Sequence, residues 1–305
     1  MNDGDHKTDL IWLQISNFTT MKIGELEEHY ALELAQLYDE NEAKALFSLA
    51  AERVLQFSPM KLKVMGDSST DFIHLQKMLS ILNDLLIGKP IQHILGEAHF
   101  YGSVFKVNEN VLIPRPETEE LVDWIISTCN SKSPSERLDI LDIGTGSGCI
   151  PISLKKYLPS SEVYTLDVSG AAIAVARENA ANTGISINFI EADILNFSAK
   201  EKFDIIVSNP PYIRDLEKQQ MHDNVLMYEP HLALFVSNEN PLIFYKAIAD
   251  FAKTNLKSDG LLYLEINEYL GYEMVQMLKE KGFLNIELRQ DMQGKDRMIK
   301  ANLPS

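Results

Sequence analysis

The feature that most limits the fold is an alternation, from about residue 137 onward, of short apolar runs with helix-like stretches. The apolar runs fall at 138–143, 163–167, 185–190, 203–208 and 261–266. Strands joined through helices pair in parallel, so the pattern predicts an open, doubly wound sheet covered on both faces. After a helix expected at about 268–281, the stretch NIELRQDMQGKDRMIKANL reads as two strands around Met292, Gln293 and Gly294. These predict an antiparallel hairpin at one edge. Residues 25–87 are different in kind: Leu46, Ala50, Val54 and Phe57, and again Phe72, Leu75, Met78 and Leu82, recur at helical spacing. A small helical bundle is expected there. Gly88, Lys89 and Pro90 break it, and 91–111 reads as β structure turning near Tyr101 and Gly102. The expected domains are an N-terminal extension (1–20) without clear periodicity, a helical domain (21–88), a β-hairpin linker (89–111) and an α/β domain (112–305).

Charge and composition narrow the function. With 44 acidic against 28 basic residues the formal charge is −16, which repels polyphosphate and favours a protein or small-molecule partner over nucleic acid. No apolar run approaches the roughly 18 residues that cross a bilayer, and the first residues lack a basic n-region, so a cytoplasmic protein is expected. Cys129 and Cys149 are too few for a disulfide framework or a zinc site; no metal is expected. Cys149 reads as a small packed residue more readily than as a reactive thiol.

The first strand of the alternating region ends in LDIGTGSGCI (141–150). Gly144, Gly146 and Gly148, with Thr145 and Ser147 between them, allow a sharp turn and close approach of a ligand to backbone. A dinucleotide fingerprint needs its last glycine where Cys149 stands, so pyrophosphate is the weaker reading. Asp142, just ahead of the loop, suits a cationic ligand better than phosphates. S-adenosyl-L-methionine is such a ligand. Asp167 ends the second strand, where a carboxylate can accept from both ribose hydroxyls, and Asp193 with Ile194 follows the third, near where adenine would lie. Either aspartate alone could be a helix cap; together at successive strand ends they favour this cofactor.

SNPPY (208–212) ends the fourth strand. A planar amide or aromatic amine is a poor nucleophile because its lone pair is delocalised, so it must be oriented more than deprotonated. The side-chain oxygen of Asn209 and the carbonyl of Pro210 can each accept one of its N–H groups. Pro210 and Pro211 stiffen the turn without adding a competing donor, and Tyr212 can stack on a flat target. Methyl transfer is an in-line displacement in which alignment contributes most of the acceleration. The motif itself leaves adenine, cytosine and glutamine open as acceptors.

Further segments resemble one family. PIQHILG (90–96), FYG (100–102), VLIPRPETE (111–119), the glycine loop, SNPPY, YEPHLAL (228–234) and GKDR (294–297) are similar to those of the bacterial release factor glutamine methyltransferases, from about residue 22 onward. The resemblance implies a Rossmann-like class I S-adenosylmethionine-dependent methyltransferase sheet with a C-terminal antiparallel hairpin, plus a small N-terminal helical bundle that helps recognise the release factor. It implies methylation of the glutamine amide in the Gly-Gly-Gln motif of peptide chain release factors. Asn209 to Tyr212 then match the residues that hold the glutamine, and Gly144 to Gly148, Asp167 and Asp193 the cofactor pocket. Arg115 is expected to orient its loop over cofactor or substrate, and Pro116 with Glu117 to start a helix. Glu229 is either solvated or a brace for the NPPY turn. His93 stands where tyrosine is common, and Asn267 and Leu270 where glycine and glutamine are frequent; these changes are expected to leave the chemistry untouched. A monomer is expected. The competing readings are an adenine-specific nucleic-acid amino-methyltransferase, which needs a basic target-recognition region, and a noncatalytic cofactor-binding protein, for which SNPPY has no purpose.

Overall fold

The structure is a computed structural model that describes residues 20–132 and 137–304. The extension expected at 1–20 lies outside the described residues except for Thr20. The chain divides into two units between Gly96 and Glu97.

The first unit is helical: α1 (Ile23–Leu34), α2 (Glu40–Leu55), α3 (Pro59–Val64), α4 (Phe72–Leu86) and α5 (Ile91–Leu95). Side chains of Asp39, Ser58 and Asp71 accept from the backbone N–H three residues on and so start α2, α3 and α4. Leu26, Leu34, Phe47, Ala50, Leu75, Met78 and Leu82 form the core, and the Tyr30 hydroxyl inside it donates to the Met78 carbonyl. The expectation of β structure from residue 91 is corrected at its start. Pro90 sits at the N-cap of α5, Gly96 closes the helix at φ 73°, and Ile91 is buried against the bundle. Proline lacks only an N–H that a helix start leaves unpaired anyway, so the break at Pro90 begins a new helix.

The second unit opens with β1 (Glu97–Phe100) and β2 (Ser103–Lys106), an antiparallel hairpin whose turn residues Tyr101 and Gly102 both have positive φ, 45° and 67°. That is the backbone of a tight two-residue hairpin turn. Asn179 ties β2 to the glycine loop: its Oδ1 accepts from Lys106 N at 2.7 Å and its Nδ2 donates to Ser147 O at 2.9 Å. There follow α6 (Pro116–Lys132), β3 (Asp139–Ile143), α7 (Cys149–Tyr157), β4 (Glu162–Asp167), α8 (Gly170–Thr183), β5 (Asn188–Glu191) and β6 (Phe203–Ser208). The chain continues through β7 (Ile213–Arg214), α9 (Asp223–Tyr228), β8 (Phe235–Val236), α10 (Ile243–Asn255), β9 (Leu256–Glu265), α11 (Gly271–Glu280), β10 (Leu284–Gln290) and β11 (Asp296–Asn302).

Seven strands form one sheet in the order β5-β4-β3-β6-β9-β11-β10. The β5, β4, β3, β6 and β9 neighbours pair in parallel; β11 runs antiparallel to both β9 and β10. The C-terminal hairpin thus folds back so that its second strand, not its first, joins β9. Side chains alternate across the sheet. Ile140, Ile205 and Val207 meet α6 and α7 residues such as Leu121, Ile125 and Ile152. Leu141, Ile143 and Ile206 meet Tyr245 and Ile248 of α10 and Met274 of α11 on the other face. β9 begins five residues before the expected 261, because the turn-like Asp259 (φ 62°) and Gly260 are absorbed as an irregularity beside Phe203 and Ile205. The small parallel pair of β7 and β8 has no counterpart in the sequence reading.

Candidate active site

Strand order reverses at β3, which has β4 on one side and β6 on the other. Connections leaving neighbouring strand ends in opposite directions open a crevice at that point. A cavity of about 270 Å³ lies there, lined by the glycine loop, the ends of β4 and β6, the segment after β5 and the residues leading into α6. Gly144, Thr145, Gly146, Ser147, Asp167, Asp193, Ile194, Asn209, Pro210, Pro211 and Arg115 all reach it. Asp142, Gly148 and Tyr212 do not line it.

The loop owes its shape to glycine. Gly144 N donates to Leu166 O at 2.7 Å and Gly148 N to Thr145 O at 2.8 Å, with φ 83° at Gly144, 51° at Gly146 and 82° at Gly148. A Cβ at Gly144 would stand 3.8 Å from the Asn209 carbonyl, so loop and NPPY turn adjoin. Gly148 serves packing: a Cβ there would lie 3.0 Å from Ile152 Cδ1 and 3.1 Å from Ala176 Cβ, where α7 approaches α8. Asp167 is held by Gly146 N (3.0 Å) and Ser169 N (2.9 Å), yet its burial raises its carboxyl above the ordinary range. Asp193 accepts from Leu195 N at 2.9 Å, which shapes the turn after β5. Asp142 is fully buried beneath the loop; Oδ2 accepts from the Thr165 hydroxyl at 2.6 Å, while Oδ1 has no donor among the described residues. Burial pushes its carboxyl up to about 7. Burial likewise pushes the Cys149 thiol up to about 12, so it is not poised as a nucleophile.

On the other wall, β6 delivers Ser208 to Tyr212. The buried Ser208 hydroxyl donates to Ile143 O at 2.6 Å, locking the turn to the end of β3. Asn209 Nδ2 donates to Thr118 Oγ1 at 3.2 Å, and the Thr118 hydroxyl donates to Glu265 Oε2 at 2.7 Å. The Tyr212 hydroxyl donates to the second oxygen, Glu265 Oε1, at 3.0 Å, and its ring packs against the core instead of lining the cavity. Asn267 Nδ2 donates to the Tyr212 carbonyl at 3.0 Å and to both oxygens of Glu217. The turn after β9 therefore touches the NPPY segment directly through Asn267, one of the positions where glycine is frequent in the family that the sequence resembles. Burial raises the Glu265 carboxyl, opposed by hydrogen bonds from Thr118 and Tyr212 and by the charge of Arg297.

Arg115 pairs with Glu229, whose other oxygen accepts from Ile113 N at 3.0 Å. Glu229 is buried, so it is no solvated carboxylate, and it braces the chain entering α6 and not the NPPY turn. Pro116 and Glu117 do open α6. Thr118 and Glu265 had no role in the sequence reading. Thr118 stands inside VLIPRPETE and Glu265 near the end of the apolar run 261–266, but only the fold joins them across 147 residues.

Known proteins match this architecture. The family described as methyltransferase small domain matches residues 124–234. The release factor glutamine methyltransferase of Flavobacterium psychrophilum is 48% identical over 283 residues, 92% of this chain and 99% of that protein. The one from Bacteroides thetaiotaomicron is 40% identical over 88% of this chain and 96% of its own length. Among solved structures, the hMettl16 catalytic domain in complex with MAT2A 3'UTR hairpin 6 shares the fold at 14% identity and TM-score 0.53, covering 66% of this chain and 76% of that one. With near-complete coverage at this identity, a class I methyltransferase sheet and a helical N-terminal unit, the chain belongs to the release factor glutamine methyltransferase family.

Proposed function

We propose that the protein transfers a methyl group from S-adenosyl-L-methionine to the side-chain amide nitrogen of the glutamine in the Gly-Gly-Gln motif of peptide chain release factors. The observation that carries this reading is that Asn209 and Pro210 line the same cavity as the glycine loop and Asp167, in a chain nearly half identical to an enzyme named for that reaction. The residues present fit the cofactor. Gly146 leaves open space where a side chain would stand, and Asp167 keeps lone pairs for ribose hydroxyls beyond its two backbone donors. A cation above the loop favours the ionised form of Asp142.

When bound, S-adenosylmethionine supplies a methyl on a sulfonium and a neutral thioether leaving group. The protein's part is orientation. Asn209 Oδ1 and the Pro210 carbonyl each accept one N–H of the glutamine amide, fixing its plane and drawing its lone pair toward the donor methyl. Pro211 stiffens the turn; Tyr212, tied to Glu265, anchors its far end. Arg115, at the cavity wall, steadies the incoming loop. Asp193 and Ile194 border the adenine end. In this reading the helical domain (21–88) recognises the release factor, 89–111 links it, and 112–305 does the chemistry. The enzyme works in the cytoplasm as a monomer whose partner is protein, in keeping with its charge of −16. Labelled methyl transfer to a purified release factor tests the reading. Label should appear on the factor, vanish when its Gly-Gly-Gln glutamine is replaced, and be absent from duplex DNA; label on DNA, or persistence after that replacement, overturns it.

A further inference from the structure

The hydrogen bonds around Asn209 have a direction. A carboxylate only accepts, so the Glu265 Oε2 contact commits the single proton of the Thr118 hydroxyl. What Thr118 has left is lone pairs, and it can meet Asn209 only as an acceptor; the Asn209 NH2 turns toward it, at 3.2 Å. Its Oδ1 is then the acceptor available to the cavity that Asn209 lines. We propose that Glu265, acting through Thr118, is a positioning residue that sets the polarity of the Asn209 amide and so presents an acceptor, not a donor, to the substrate's NH2 group. The inference rests on the reading that this NH2 belongs to the acceptor glutamine.

The same carboxylate secures the other end of the motif. Its Oε1 takes the Tyr212 hydroxyl, while Asn267, two residues further on, takes the Tyr212 carbonyl. The turn is thus clamped at both ends from the close of β9. Glu265 is nearly inaccessible, with 1% of its surface exposed, and Thr118 is buried at 3%, so water does not compete for these bonds. A neutral Glu265 would break the logic: its own O–H would donate to Thr118 Oγ1, freeing the Thr118 hydroxyl to donate to Asn209 Oδ1 and turning the Asn209 NH2 toward the cavity. Groups facing Glu265 are Arg297 of β11, which favours the ionised form, Glu117 of α6, which opposes it, the hydroxyls of Tyr212 and Tyr245, and Cys149. Because burial outweighs these and raises the carboxyl, turnover should fall on acidification through that raised range.

Thr118→Val and Thr118→Ser in the full-length enzyme test the proposal against a release factor bearing Gly-Gly-Gln. Valine keeps shape and removes the hydroxyl; serine keeps the hydroxyl. Thr118→Val should lower kcat roughly 10- to 100-fold with KM for the factor and affinity for S-adenosylmethionine within a few-fold. Thr118→Ser should recover most of the loss, and the acid limb of kcat at saturating cofactor should disappear in Thr118→Val. If the valine variant melts early, Thr118→Ala carries the same comparison. A kcat retained by the hydroxyl-free variants, a serine variant as slow as valine, or an unchanged acid limb overturns the proposal. A wild-type enzyme that labels no release factor strikes instead at the reaction assigned above.

Discussion

On the β4 side of the crevice, the lining groups are backbone and strand-end carboxylates fixed by backbone N–H groups. Asp167 is held from residues 21 before and 2 after it, and Asp193 from 2 after. On the β6 side, the facing groups are held by side chains from far along the chain: Asn209 by Thr118, 91 residues away, Thr118 by Glu265, and Tyr212 by Glu265, 53 residues away. The glycine-loop wall is therefore held mostly by backbone; the wall built on the NPPY turn, where the proposed function places the acceptor, is a buried polar network. Backbone turns tolerate side-chain change where no Cβ is in the way. A buried network fails when any one member loses its partner. The asymmetry suits the chemistry, since the cofactor needs a cradle whereas a delocalised amide needs its plane fixed within narrow limits.

Perturbing the two walls should separate binding from turnover. The largest effect is expected for Asn209→Ala, which removes a side-chain acceptor: kcat should fall roughly 100- to 1000-fold while calorimetric affinity for S-adenosylmethionine stays within a few-fold. Equal loss in affinity would erase the distinction between the walls. Gly148→Ala attacks the cradle through packing, since its Cβ would meet Ile152 and Ala176 at 3.0 and 3.1 Å with φ at 82°. About 2–4 kcal/mol of stability should be lost, read from the urea midpoint. Asp142 contributes a pH effect. Its ordinary value is 3.8 and its folded value about 7, so between them the folded chain holds a proton that the unfolded chain has released. Stability of the cofactor-free protein should therefore decline as pH rises across that window, and Asp142→Asn should flatten the decline. The smallest effect is expected for Glu229→Gln, which keeps one acceptor but sets an NH2 against Ile113 N or Arg115. It should cost about 1–2 kcal/mol and raise KM for the release factor a few-fold, with kcat little changed.

This asymmetry also explains what could be read in advance. The glycine-loop wall of the crevice was legible because a glycine-rich turn, or an aspartate just past a strand, marks a strand end within a few residues. The strand succession from β3 to β6 was legible for the same reason, as was the hairpin of β10 and β11 around Met292 to Gly294. Pro90 misled, because a proline that breaks one helical pattern also suits the start of the next helix, here its N-cap, with Ile91 buried against the bundle. Tyr212 misled because an aromatic ring beside a reactive site looks like a stacking surface until its hydroxyl finds Glu265.

Spacing of apolar residues, glycine placement and strand-end acids settled the sheet, the crevice and the identity of the turn that meets it, because backbone geometry and side-chain periodicity act over a few residues. Which way the Asn209 amide faces, what Glu229 braces and why Asn267 matters were decided by folding alone. Those roles come from buried donors and acceptors that meet only after β9 is laid against β6 and α6 is packed on the sheet, and no local pattern encodes such a meeting.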